Sequence, residues 1–344
     1  MSVNKVAVPS RRAILGTGLA ALAGGRLPAF GAGSTDRVLV CIYLFGGNDT
    51  GMVVPLDQYS SYRSARGSLA VPEDSLLPVK ATKSQALYGF HPALSELRDL
   101  FESRAVAVAG TIGARQDPGK SLGYLPDGFT APGWALTLSG GKGVFTQFAP
   151  GSRHNARGGT SLIALGGPTG EQLAQVVQSS LASDLSLQTQ FPETGLGSQL
   201  RQIAKVIRLS GLRQQIYLCP FGGFTGGADQ LSRHEALFRE LSSAMAAFYQ
   251  ATVELGVDRR VTTFTDAESN RPLLSNKNNG TGLGWGGYRL ALGGSVVGGD
   301  VAQNISNEQY SAAFAKWFGV DPSGLNRLFP GLAGMAPGAL EFLS

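Results

Sequence analysis

An apolar, β-branched run at residues 261–265 (VTTFT) leads straight into two acids, Asp266 and Glu268, and this order of residue types constrains the fold more than any other feature of the chain. Such a run reads as a strand buried on both faces. A strand covered on both faces needs a layer on each side of its sheet, which points to an α/β architecture. After the acids come a Pro/Asn-rich loop, a glycine ladder (Gly280, Gly282, Gly284, Gly286, Gly287) and a second apolar run at residues 288–292. Polar residues just past a strand end, followed by a glycine-dense loop, mark the usual place for a site in an α/β sheet. Yet this loop holds no His, no Cys and no nucleophile–base pair.

The same alternation of element types runs through the chain. Residues 37–45 (RVLVCIYLF) form a continuous apolar strand that ends in Gly46-Gly47-Asn48-Asp49. Asp49 then stands at a strand's carboxyl end, either as a metal ligand or as a turn residue or helix N-cap. Residues 57–72 read as a loop with a short helix. Residues 92–104 make an amphipathic helix with Leu94, Leu97, Leu100 and Phe101 on one face. Further strands are expected at 105–109, 160–165 and 215–221, and further helices at 170–181, 198–210, 230–255 and 307–318. Residues 110–159 are rich in Gly and Pro and the least regular part; they include Ser121, Trp134 and His154. Strands alternating with helices imply a mostly parallel sheet flanked by helices. No shift in composition divides residues 34–344, which read as a single domain.

The composition, 43% apolar and 15% charged, is that of a globular chain. The net charge of +5 comes mainly from Lys5, Arg11, Arg12 and Arg26, which lie in an acid-free leader; without those four charges it is +1. No dense basic run remains, so nucleic acid is not expected as a partner. Ser10-Arg11-Arg12-Ala13-Ile14-Leu15 is a twin-arginine pattern, followed by a short apolar stretch and by small residues suited to cleavage. Residues 1–33 are therefore expected to be a signal peptide, and the mature protein to be periplasmic or secreted. Its contact with the membrane would be transient, because the apolar stretch is too short for a bilayer of about 30 Å. Cys41 and Cys219 each sit in an apolar strand-like run; they read as small buried hydrophobes, with a disulfide as the alternative.

Several blocks taken together resemble a known family: residues 36–55, 90–94 (FHPAL), 222–230 (GGFTGGADQ), 263–271 (TFTDAESNR), 280–287 (GTGLGWGG) and 309–319 (QYSAAFAKWFG). They are similar, in order along the chain, to the exported bacterial family called domain of unknown function 1501, grouped with the alkaline phosphatase and sulfatase superfamily. The resemblance implies an alkaline-phosphatase-like α/β fold, shortened here between the strand at 105–109 and the helix at 198–210. It also implies one or two divalent metals that polarise a phosphoryl or sulfuryl oxygen. Here the pattern breaks. Family members carry Asp and His where this chain has Thr225 and Gly227, and again where it has Gly282 and Leu283. A Ser–His pair becomes Ser121-Leu122.

Asp49, Glu268 and Arg271 survive. With Asp266 they leave a weak set for Mg²⁺ or Ca²⁺, formed by Asp49, Asp266 and Glu268, and no confident cofactor. Of the three histidines, His91 reads as a packing or capping residue and His234, between Arg233 and Glu235, as a solvated one. The expectation is a degenerate site that binds a polar ligand or an unidentified periplasmic protein through Asp49, Thr225, Glu268, Arg271 and Trp285. The alternative is a rebuilt hydrolase of phosphate or sulfate esters, with Asp49, Ser121 and Glu268 as catalytic candidates.

Overall fold

A computed structural model describes residues 36–112, 122–124, 130–138, 143–147, 161–165, 170–182, 186–210, 214–267, 269–284, 286–332 and 342–343. Eight strands form one sheet: β1 (Val38–Phe45), β2 (Val106–Ile112), β3 (Gly143–Gln147), β4 (Ser161–Leu165), β5 (Gln215–Gly222), β6 (Val261–Ala267), β7 (Gly287–Leu292) and β8 (Val301–Ser306). Their order across the sheet is β8-β2-β7-β6-β1-β5-β4-β3. The helices are α1 (Tyr59–Arg66), α2 (Ser95–Glu102), α3 (Gly133–Leu138), α4 (Gly170–Ala182), α5 (Gly195–Ser210), α6 (Gln230–Glu254), α7 (Asn307–Trp317) and α8 (Pro322–Leu328).

The α/β class with helices on both faces is as expected, and six of the eight strands run the same way; β4 and β7 run against them and make the sheet mixed. β1 pairs parallel with β5 and β6, and β8 with β2, whereas the other four pairings are antiparallel. The reason lies in the connections. A parallel neighbour needs a crossover long enough to return the chain to the starting edge. Between β6 and β7 the described chain has no helix, so β7 comes straight back beside β6.

Period-two alternation along the strands divides the core into two layers. Val38, Val40, Ile42 and Leu44 face one layer, covered by α2, α5 and α6. Leu39, Cys41 and Tyr43 face the other, with Phe264, Tyr310 and Phe314. α5 docks through Leu196, Leu200, Ile203 and Ile207, all buried at helical spacing. α7 begins with a reciprocal cap: Ser306 Oγ accepts from the Gln309 amide at 3.0 Å, and Gln309 Oε1 accepts from the Ser306 amide at 2.9 Å. The two thiols are free and buried. Cys41 stands opposite Leu218, and Cys219 opposite Ile42, so the thiols point to opposite layers and cannot pair.

Two parts of the fold differ from the sequence reading. β8 has the polar sequence VAQNIS and a register shift between Ala302 and Ile305, which hide the strand from a search for apolar runs. Residues 110–159 carry described elements, namely the end of β2, the paired strands Leu122–Tyr124 and Thr130–Pro132, α3 and β3. Ser121 and His154 lie outside the described residues.

Candidate functional site

The turn after β1 and the loop after β6 meet, as the grouping of Asp49 with Glu268 and Arg271 expected. Asn48–Asp49 pairs parallel with Asn270–Arg271, and the Asn48 amide donates to Ser269 O at 3.0 Å. The glycine-rich loops then interlock backbone to backbone. A Cβ on Gly46, which has φ +91°, would lie 2.9 Å from Thr225 N; one on Gly226 would lie 2.1 Å from Thr281 O. Glycine is required at both positions because the neighbouring main chain occupies the space of a side chain.

Arg271 holds this junction and presents no free fork to a ligand. Its Nε donates to Gly46 O at 2.7 Å and Phe224 O at 2.8 Å, and its Nη1 to Thr281 O at 3.2 Å and Gly282 O at 2.9 Å. It is buried. Asp266 pairs with Arg289, whose guanidinium stands 5.6 Å over the Tyr310 ring. Asp266 shares its sheet face with Phe264, in the layer away from α6. Asp49 and Asp266 therefore sit in separate ion pairs and do not converge on one cation. Glu268 and Trp285 lie outside the described residues, and the Thr225 side chain is exposed.

Asp49 is the centre of a different site. Its side chain caps the short turn Thr50–Met52, with Oδ1 accepting from the Gly51 amide at 2.7 Å. Oδ1 also accepts from Arg66 Nη2. Oδ2 accepts from Gln230 Nε2 at 2.9 Å and lies 2.6 Å from His234 Nδ1. An ionised carboxylate offers about four acceptor positions, and here all four are filled by the chain itself. Burial alone would raise this carboxyl. The His234 hydrogen bond and the Arg66 charge outweigh burial and hold it well below the usual carboxylate range.

His234 is only 3% exposed, so the expectation of a solvated histidine was wrong. Its Nε2 lies 3.3 Å from Thr225 O, so each ring nitrogen faces an oxygen that can only accept. The signal was present in the helix pattern. His234 precedes Leu237 and Leu241 at the i, i+3, i+7 spacing of the buried face, and Gln230 lies one turn before it. Arg66 was missed altogether. It follows the buried Tyr59 and Tyr62 at the same spacing on α1, and its Nη1 donates to Pro272 O at 2.8 Å.

His91 behaves as expected. Its Nδ1 accepts from the Ala93 amide at 3.1 Å and so caps the turn Pro92–Leu94. Burial pushes its imidazole down to about 4, against the opposing charges of Asp49 and Glu235. Arg66, His91, Gln230 and His234 line one partly open cleft with Asp49; Leu69, Val71 and Phe238 form its apolar wall. The space is about 10 Å³, room for roughly one water-sized group.

The donor set does not fit the implied divalent metal, because Asp49 is saturated by Arg66, Gln230, His234 and Gly51. Among the described residues no group of three or more His, Cys, Asp or Glu is placed to hold a metal ion. Among the same residues no helix is long and apolar enough to cross a membrane. In comparisons with known proteins, no family model, no curated protein and no solved structure matches the chain.

Proposed function

We propose that the chain is an exported, non-catalytic relative of the alkaline-phosphatase-like hydrolases. It would work by binding a ligand or assembling with a partner in the periplasm. The observation that carries this reading is the internal saturation of Asp49. A guanidinium, an imidazole, an amide side chain and a backbone N–H occupy the acceptor positions that a metal would need. The positions where the resemblance expects further ligands hold Thr225, Gly227, Gly282 and Leu283, which supply no carboxylate or imidazole. The twin-arginine pattern supports export of a folded protein.

The test is to purify the mature protein without chelator, measure divalent metals, and screen phosphate and sulfate esters alongside Asp49→Ala. The expected result is far less than one equivalent of any metal and no turnover. A near-stoichiometric ion that Asp49→Ala removes, with ester hydrolysis lost in the same variant, would overturn the proposal. That outcome would favour a hydrolase rebuilt around Asp49 and Glu268.

A further inference from the structure

The cleft beside Asp49 holds donors that the internal network does not use. Arg66 is 3% exposed, and its Nε–H is buried with no acceptor among the described residues. His91 accepts the Ala93 amide at Nδ1, so the proton of the neutral ring sits on Nε2. No bond to that nitrogen is seen among the described residues. Asp49 offers nothing further, because its carboxylate is saturated, and the Gln230 amide is held in place by donating to Asp49 and accepting from the Thr281 amide and hydroxyl at 2.8 and 3.0 Å. A buried guanidinium with an unused N–H calls for an acceptor, since an unmet buried donor is costly. The Asp49 charge already balances Arg66, and the lining residues include no acid besides Asp49. The polar demand of the cleft is therefore for an acceptor, which no second carboxylate of the lining opposes.

We infer that this cleft receives the carboxylate of a ligand, one oxygen lodging between Arg66 Nε–H and His91 Nε2–H while the rest of the molecule stays outside. Three features select a carboxylate. The space admits about one oxygen-sized group, too little for a whole phosphate or sulfate. A planar head needs only its inward oxygen satisfied within the cleft, its second oxygen facing the open side, whereas a tetrahedral head has more acceptors to satisfy. The wall is apolar at Leu69, Val71 and Phe238, and Leu231, 41% exposed, also lines the cleft. An acid carried on an apolar body fits such a wall, as in a small organic acid or the carboxyl end of a polypeptide.

This inference rests on the binding reading above and names its ligand class. The experiment titrates the mature protein with formate, N-acetyl-leucine and N-acetyl-leucine amide at constant ionic strength. It follows the melting temperature and the ¹⁵N resonances of the His91 ring. Both acids should raise the melting temperature saturably and shift the Nε2 resonance, while the uncharged amide should do neither. Tighter binding of N-acetyl-leucine than of formate indicates a polypeptide end or another apolar-bodied acid; equal binding indicates a small free acid. Arg66→Gln and His91→Asn should each weaken binding about tenfold or more, the loss expected for one hydrogen bond to a charged group. Arg66 also holds Asp49, so its variant could fail to fold. His91→Asn keeps a capping acceptor for Ala93 and decides the matter by itself. Identical responses to acid and amide, or unchanged binding in folded His91→Asn, would overturn the inference. No ester turnover enters this titration, so a negative result leaves the non-catalytic reading standing.

Discussion

Replacing His91 by asparagine should flatten the acid limb of the stability profile. The ring is 5% exposed, and its imidazole is pushed from about 6.5 in an unfolded chain down to about 4. The groups acting on it are Asp49 and Glu235, which favour its charge, and His234 and Arg239, which oppose it. Burial dominates because Phe238 packs edge-on at 5.1 Å and the ring belongs to a capped turn at the edge of the core. Between pH 4 and 6.5 the unfolded chain binds the His91 proton and the folded one does not. Stability therefore falls as pH drops through this window. A depression of about 2.5 units corresponds to about 3 kcal/mol over the window, at no more than about 1.4 kcal/mol per pH unit. Asp49 does not confuse the measurement. Its depressed carboxyl contributes stability that is fully present above about 4 and is lost only as pH falls towards its folded value. The assay is urea unfolding of wild type and His91→Asn at several pH values from 4.5 to 7.5. Asparagine preserves the capping acceptor, so the proteins should differ in pH slope more than in stability at pH 7.5. Parallel profiles would refute the reasoning, because they would mean that the buried ring titrates as it does in the unfolded chain.

Two further outcomes follow from the same junction. Asp49→Ala leaves Arg66 and His234 buried without their shared acceptor, and should cost about 3–5 kcal/mol in urea unfolding at neutral pH; a loss below about 1 kcal/mol would mean that water replaces the carboxylate. Gly226→Ala drives a methyl to within 2.1 Å of Thr281 O, so the interlocked loops must part, and thermal melts should show a loss of at least about 1–3 kcal/mol.

The order and type of the main elements were legible because they depend on local patterning. β1, β5 and β6 are long apolar runs, and α5 and α6 repeat their apolar residues at helical spacing. The meeting of the Asp49 turn with the loop after β6 was expected only through the family resemblance, which grouped Asp49 with Glu268 and Arg271. The composition of the site was not legible. The reading grouped Asp49 with Asp266 and Glu268 as acids near strand ends. Side-chain alternation instead sent Asp266 to Arg289 in the opposite layer. Arg271 was read as a ligand-facing cation, but it serves loop carbonyls that appear only once three loops pack together.

The sequence by itself determined apolar runs and helical periodicities that suit an α/β chain with a two-faced core, with glycine-dense turns between them. Those are properties of residue type and spacing, and they hold in any fold the chain could adopt. Only the tertiary structure decided which charges meet. Asp49 joins Arg66 from 17 residues away and His234 from 185 residues away, and neither distance leaves a mark in local pattern. Buried charges are costly alone, so the fold that buries Asp49 must supply its partners from wherever packing brings them. That pairing, rather than the presence of the aspartate alone, determines which donors and acceptors the cleft leaves free.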